Sequence, residues 1–133
     1  MSSIFSKIVL GEIPCHKVAE NDEFIAFLDI MPLAKGHTLV IPKKETDYIF
    51  DLDDAAYQRF WSFAKEVALK LKKHIPCKRI GVSVIGLEVP HAHIHLVPLH
   101  HIEDINFSKE KVKASAQELA ALASILMNDN SIA

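Results

Sequence analysis

Residues 91–97 alternate histidine with apolar side chains, and this run constrains the fold more than any other segment. In a β-strand, side chains two and four positions apart point to the same face of the sheet. His91, His93 and His95 would therefore form a row on one face, while the residues between them would pack into the core on the other. A core strand has no structural need for three aligned imidazoles, so the row predicts a functional site.

Two kinds of chemistry use histidines in this pattern, and the spacing alone does not choose between them. Neutral imidazole is a common zinc ligand, and two histidines two positions apart on a strand can hold one ion. An imidazole can also attack phosphorus and form a covalent intermediate, while neighbouring imidazoles orient it and contact the phosphate. The third possibility is a purely structural role, in which the histidines are partly buried and their hydrogen bonds are satisfied.

Length and composition limit the class of protein. A chain of 133 residues predicts one domain, and 50% hydrophobic with 24% charged residues is typical of a globular protein with its own core. A net charge of −2 gives no reason to expect nucleic-acid binding, and no apolar run has the length of a membrane span. Cys15 and Cys77 form no disulfide framework and residues 1–7 do not resemble a signal peptide, so we expect a cytoplasmic protein with free thiols.

Hydrophobic periodicity and turn residues predict five strands and three helices. The strands are expected at residues 17–20, 24–29, 37–41, 79–85 and 91–98, and the helices at 3–10, 51–73 and 108–127. Ser3 is the predicted N-cap of the first helix, and Asp51 or Asp53 that of the second. Short turns between most strands predict an α+β fold, with an antiparallel sheet of about five strands and helices packed to one side.

Five segments, including the histidine row, agree in order and spacing with one family. They are residues 4–8, 11–14, 26–30, 36–43 and 89–98. Together they resemble the histidine triad (HIT) family, in its branch of small nucleotide-binding HIT proteins. The resemblance covers roughly residues 4–98. We therefore expect a HIT domain over residues 1–107, with a C-terminal helix and tail over 108–133 packed on the same domain.

The resemblance implies a HIT-like homodimer that binds a purine nucleotide or nucleoside phosphoramidate. It implies hydrolysis or transfer at the α-phosphate through a nucleotidyl-histidine, and His93 matches the family's nucleophile. His91 and His95 match the flanking pair that contacts phosphate, and His37 matches a supporting upstream histidine. Asp29 matches the acid that binds the ribose. Six apolar residues match positions around the base and the sugar: Ile4, Phe5, Ile8, Phe27, Ile30 and Leu39.

The chain departs from the family pattern in two places that concern the site. The loop Gly86-Leu87-Glu88 is shorter than usual and lacks the polar side chain that assists the leaving group; we expect Glu88 to face solvent. Relatives with a structural zinc have cysteines at the positions of Ser3 and Ser6, and often a histidine at that of Glu45. We therefore expect no metal, and the resemblance implies no cofactor.

Three functions remain in competition at this point. The first is a nucleotide hydrolase or transferase of HIT type, and the second is a nucleotide-binding module with negligible turnover. The third is a metal-dependent enzyme with the three histidines as ligands. Turnover of an adenosine phosphoramidate distinguishes the first two, and metal analysis after chelation identifies the third.

Overall fold

A computed structural model describes residues 2–129, so residue 1 and the last four residues of the predicted tail, 130–133, lie outside the described residues. Within this range, one antiparallel sheet contains β1 (Lys17–Glu20), β2 (Phe24–Leu28), β3 (Thr38–Pro42), β4 (Arg79–Ser83) and β5 (Ile94–Leu99). The strands lie in the order β1-β2-β3-β5-β4, so β1 and β4 are its edges. The predicted α+β class and five-stranded antiparallel sheet are confirmed.

The described α-helices lie on both faces of this sheet. They are α1 (Ile4–Val9), α2 (Asp54–His74) and α3 (Ala116–Met127). The long helices α2 and α3 bury apolar residues against alternate residues of the central strands, and this main core includes Phe24, Phe60, Leu71, Ile94, Leu96, Leu119 and Leu126. The short helix α1 packs on the opposite face, where Phe5 joins Ile25, Phe27, Leu39 and Ile41 in a second buried cluster.

Helix α2 supplies most of the helical side of the main core. Asp53 caps it by accepting a hydrogen bond from the Ala56 N–H at 2.8 Å, and a separate 3-10 turn, Ile49–Asp51, precedes it. The Phe60 ring is fully buried and stacks on Phe24 with ring centroids 5.3 Å apart. Burial of one such side chain stabilises a fold by about 1.5–3 kcal/mol. The predicted helix is therefore present, beginning three residues later than expected.

The predicted final helix over 108–127 is wrong in its first eight residues. Helix α3 begins only at Ala116, where Ser115 and Glu118 make reciprocal capping hydrogen bonds. Residues 106–115, here called the connecting segment, are not helical because they make tertiary contacts instead: the Val112 N–H donates to the Pro32 carbonyl at 2.8 Å. The Val112 side chain in this segment is 43% exposed.

No helix within residues 2–129 combines the length and the apolar composition that crossing a membrane requires.

Candidate active site

The four predicted histidines meet where the chain enters β3 and β5. These strands are antiparallel neighbours, and His95 lies opposite Leu39 in their register. His37 stands two residues before Leu39, just ahead of β3, so its imidazole reaches the diagonal neighbour His95. The position of His37 depends on Gly36, which has φ +91° and where a Cβ would collide with the Cδ1 atom of Ile75.

The alternation of histidine and apolar residues is present, but the predicted strand over 91–98 is wrong at its start. β5 begins at Ile94, because the preceding backbone bonds elsewhere: the Ala92 N–H donates to the Thr46 carbonyl and the His91 N–H to that of Val89. Ala92 nevertheless joins the main core with Ile94 and Leu96. The three histidines are buried, with at most 8% exposure, and the His93 ring lies against Phe5 of the second cluster.

His93 is held with one ring nitrogen available for chemistry. Its Nδ1 lies 2.7 Å from the His91 carbonyl oxygen, and a carbonyl can only accept a hydrogen bond. The neutral ring therefore carries its proton on Nδ1 and a lone pair on Nε2. No group among residues 2–129 hydrogen-bonds to that Nε2. The ring contacts Phe5 and His95 edge-on, with centroids 5.0 and 4.9 Å away.

His37 and His95 share a hydrogen bond whose direction follows from the backbone. The Leu33 N–H donates to His37 Nδ1 at 3.0 Å, so the proton of a neutral His37 is on Nε2. That Nε2–H donates to His95 Nδ1 at 3.0 Å, which leaves the proton of His95 on its own Nε2. Burial lowers the pKa of His37 to about 4 and that of His95 to about 3. Both rings are therefore neutral near pH 7, and His95 Nε2–H is a hydrogen-bond donor.

Both ring nitrogens of His91 have partners within the protein. Its Nε2–H donates to the Pro42 carbonyl at 2.7 Å, so Nδ1 accepts a hydrogen bond from the Ser3 hydroxyl at 2.8 Å. The side chain is completely buried, and burial lowers its pKa. In this geometry His91 acts on the site through its carbonyl oxygen, which orients His93.

The residues at the zinc positions of some relatives form a hydrogen-bonded cluster. Glu45 Oε1 accepts from the Ser3 backbone N–H at 2.6 Å and from the Ser6 hydroxyl at 2.7 Å. These bonds, the Ser3 N–H first, lower the pKa of Glu45 to about 2. The Ser3 hydroxyl also accepts the Ser6 N–H as the cap of α1. The cluster thus links α1, the loop after β3 and the His91 ring by hydrogen bonds.

Among the described residues, one set could in principle hold a metal ion. Asp29, His37 and His95 each offer a ligand atom, all within 4.8 Å of one another. An ion bound to His37 Nε2 would displace the proton there, and a neutral His37 would then need a proton on Nδ1, where the Leu33 N–H already points. The hydrogen bonds therefore suit these residues better than an ion does. The expectation of no metal remains a prediction.

Asp29 lies immediately after β2, at the edge of the histidine cluster. Its Oδ1 accepts the Met31 N–H at 2.9 Å, and its Oδ2 is 3.7 Å from His37 Nε2. Burial raises the pKa of this carboxyl, and the Met31 N–H and the charges of Lys111 and His93 oppose that shift. The side chain is 21% exposed, so it is accessible to a ligand.

The six apolar residues expected around the base and sugar differ in exposure. Three are buried together in the second cluster, namely Phe5, Phe27 and Leu39, and Ile8 packs against them. Ile4 and Ile30 are 50% and 69% exposed. The buried residues therefore belong to the core cluster that packs beside the histidines, whereas the exposed isoleucines are available to a ligand.

The short loop Gly86-Leu87-Glu88 lies beside a cavity of about 340 Å³ that His93 also lines. Gly86 and Leu87 contribute to its lining, together with Trp61 and Phe50. Glu88 is exposed and does not line it, as expected of a side chain that faces solvent.

Sequence reasoning missed Phe107, which covers two of the histidines. Its ring packs edge-on against His95 at 4.8 Å and against His37 at 6.3 Å. Phe107 lies in the connecting segment, outside the residues that carried the family resemblance. The sequence offered one signal for it: Phe107 is the single apolar residue between positions 106 and 111.

Comparison with known proteins identifies the family of this chain. The family model of the HIT domain matches residues 10–102, which is more than half of the chain. A relative from Schizosaccharomyces pombe, adenosine 5'-monophosphoramidase hnt1, is 34% identical over 131 residues, covering 91% of this chain and 98% of that protein. The chain belongs to the HIT family.

Solved structures agree in fold over nearly the whole chain. A Hit-like protein involved in cell-cycle regulation from Bartonella henselae superposes with a TM-score of 0.81 at 30% identity, covering 95% of this chain and 94% of that one. A Zn-bound histidine triad family protein from Mycobacterium smegmatis superposes with a TM-score of 0.77 at 25% identity, covering 96% and 91%. HIT-family membership and the relationship to a nucleotide hydrolase support a nucleotide-related function in general.

Proposed function

We propose that the protein is a nucleotide hydrolase or nucleotidyl transferase that acts at the α-phosphate of a purine nucleoside phosphoramidate or related conjugate. The observation that carries this proposal is the His93 ring, whose Nδ1–H donates to the His91 carbonyl and whose Nε2 lone pair has no protein partner among residues 2–129. A nucleophile needs such a lone pair, and a metal-free phosphoryl transfer depends mainly on positioning and charge stabilisation.

The reaction proceeds in two displacement steps. His93 Nε2 attacks the α-phosphorus and the P–N bond to the amine breaks; the amine leaves with the electron pair and takes a proton from water. Water then attacks the nucleotidyl-His93, releasing the nucleotide and a proton and restoring the imidazole lone pair. Transfer results where another nucleophile replaces that water. The Nε2–H of the neighbouring His95 donates to the phosphoryl oxygens.

The remaining site residues have binding roles in this proposal. Asp29 accepts hydrogen bonds from the ribose hydroxyls. Its carboxylate is accessible to a ligand and lies beside His37. The apolar residues around Phe5 and Phe27, with exposed Ile4 and Ile30, provide the walls for a purine base. His37 orients His95, and His91 orients His93.

Intact mass spectrometry of protein quenched during incubation with adenosine 5'-phosphoramidate tests the proposal. We expect one adenylyl adduct on the wild type and none on His93→Ala. AMP binding without an adduct or turnover would instead identify a nucleotide-binding module. Activity that disappears on chelation and returns with zinc would identify a metal-dependent enzyme.

The proposal includes a homodimer, joined through β4 and the neighbouring part of α2. β4 is an edge of the sheet, and an uncovered edge is a template for pairing with another strand. Large apolar side chains are exposed on and after it: Val82, Val84 and Ile85, with Leu69 on α2. Burying these residues in a two-fold interface would remove them from water.

We also propose the reducing cytoplasm as the protein's compartment. Cys15 and Cys77 are both free thiols, which suits that environment. Fractionation of cells expressing the tagged full chain tests this, and recovery outside the cytoplasm would contradict it.

A further inference from the structure

The connecting segment places the Phe107 ring against both imidazoles of the His37–His95 hydrogen bond. Phe107 meets the His95 ring edge-on, at 74° between ring planes and 4.8 Å between centroids, and it also contacts His37 at 6.3 Å. His37 is 2% exposed and His95 8%. An aromatic ring in this position keeps water away from two buried imidazoles whose protons are in a defined arrangement.

Hydrogen bonds hold the connecting segment in this position. The Lys111 ammonium donates to the Phe107 carbonyl at 2.9 Å, and the Val112 N–H donates to the Pro32 carbonyl at 2.8 Å. Pro32 belongs to the loop between Asp29 and His37, which also contains the Leu33 N–H that sets the His37 proton. The segment is therefore attached to the same loop that orients His37.

We propose that Phe107 is a positioning residue of this site: by covering the His37–His95 hydrogen bond it keeps His95 neutral with its proton on Nε2, as a donor to the phosphate. The kinetic part of this inference rests on the proposed function, whereas the effect on the His95 ring does not. It assigns a role to a segment that lies beyond the family-matched residues 10–102.

The physical reason is the cost of charging a buried imidazole. Contact with water stabilises the imidazolium, so an uncovered His95 would become protonated at a higher pH. A protonated His95 carries a proton on Nδ1 as well, which conflicts with the His37 Nε2–H that now points there. The His37–His95 arrangement would then have to change.

Several charged or titratable groups surround His95 and His37. Burial is the largest cause of the lowered pKa of both rings; the neighbouring His93 and His37 rings lower that of His95 further, and the Lys111 ammonium that of His37. The Asp29 carboxylate, 3.7 Å from His37 Nε2, has the opposite sign of charge. All of these groups remain when Phe107 alone is replaced, so a Phe107 variant isolates the effect of covering the rings.

The test is a histidine ¹⁵N NMR titration of the full-length protein without any nucleotide. In the wild type, His95 should show the Nε2–H tautomer and a strongly lowered pKa. Phe107→Ala should raise that pKa by about one unit or more. Phe107→Leu, which keeps an apolar cover, should restore it, and Val112→Ala, a truncation of an exposed side chain in the same segment, should leave it unchanged.

A second measurement connects the ring to the reaction. The pH at which adenylation of His93 falls on the acid side should move up in Phe107→Ala and not in Phe107→Leu. An unchanged His95 titration in Phe107→Ala would overturn the inference. If that variant does not fold, Phe107→Gln, which keeps the bulk of the side chain but not its apolar cover, replaces it, and a pKa equal to the wild type's would overturn the inference equally. Absence of any adduct on the wild type would refute the proposed function while the titration still decides the role of Phe107.

Discussion

The four histidines of this site differ in their hydrogen bonds. Backbone groups determine which ring nitrogen carries the proton in three of them. The His91 carbonyl does so for His93, the Leu33 N–H for His37 and the Pro42 carbonyl for His91. Because a backbone N–H must donate and a carbonyl must accept, these contacts determine the tautomers. His93 emerges with a lone pair on Nε2, and His95 with a proton there.

Replacement of His93 is the direct test at this scale. We expect His93→Ala to lower phosphoramidate turnover by roughly 10⁴-fold or more, since a covalent nucleophile is removed. AMP affinity by calorimetry should stay near that of the wild type. His101→Ala, which removes an exposed histidine outside the site, is the matched control. Near-normal turnover by His93→Ala would refute the covalent mechanism.

The buried histidines also make stability depend on pH. Their folded pKa values, about 4 for His37 and about 3 for His95, lie below the value of 6.5 for a free histidine. The unfolded chain therefore binds protons first, and stability that is complete above pH 6.5 is lost as the pH falls towards about 4 for His37 and about 3 for His95. Each histidine contributes a slope of at most about 1.4 kcal/mol per pH unit.

Urea unfolding between pH 7.5 and 4.5 measures this dependence. The slope of the free energy of unfolding should be smaller in His37→Gln than in the wild type, because one titrating group is gone and an amide N–H can still donate to His95. Equal slopes in the two proteins would show that His37 is not held neutral by burial.

At the scale of elements, α1 connects the hydrogen-bonded cluster of Ser3, Ser6 and Glu45 to His93. Six residues are too few for a stable isolated helix, so α1 depends on its contacts. Ser3 caps it, Glu45 binds the Ser3 N–H and the Ser6 hydroxyl, and Phe5 packs against the rings of His91 and His93. Loosening α1 should therefore disturb the site as well as the fold.

Glu45→Gln tests this connection through its pH dependence. The folded pKa of Glu45, about 2, is below the ordinary 4.5, so the carboxylate stabilises the fold above pH 4.5 and loses that effect as the pH falls towards 2. We expect the variant to melt at a lower temperature than the wild type at pH 6, with the difference narrowing below pH 4.5. Glu12→Gln, at an exposed acid just after α1, is the control. A difference independent of pH would contradict the charge-assisted bonding of Glu45.

At the scale of the whole molecule, the β4 edge of the sheet has no neighbouring strand and carries exposed apolar side chains. β1, at the opposite edge, packs against α3, whereas β4 presents Val82 at 49% exposure. An apolar edge strand in this state favours association with a second copy. The proposed dimer follows from this asymmetry between the two edges.

Sedimentation velocity at micromolar protein tests the assembly. The wild type should have the mass of a dimer, and Val82→Lys should shift it towards the monomer because a charge would be buried at the interface. Ile125→Lys introduces the same charge on the exposed face of α3 and should leave the dimer intact. A monomeric wild type would refute the proposed dimer.

The sequence by itself determined the α+β class, the approximate strands and the family. These properties depend on local periodicity: the alternation from His91 to Val97 has the two-residue period of a strand, which predicts the histidines on one face. Five agreeing segments also identified His37, Asp29 and the histidine row as members of one candidate site. Local capping residues located α2 to within three residues, through Asp53.

Only the tertiary structure decided how those residues are bonded. Helix α3 begins at Ala116 instead of the predicted residue 108, because the Val112 N–H donates to the carbonyl of Pro32, eighty positions away along the chain. The contact of Phe107 with His95 and the bonds of Glu45 to α1 likewise join distant segments. Hydrogen bonds and burial between residues far apart in sequence leave no local periodic signal, and they set the protons of the histidines and the cover over them.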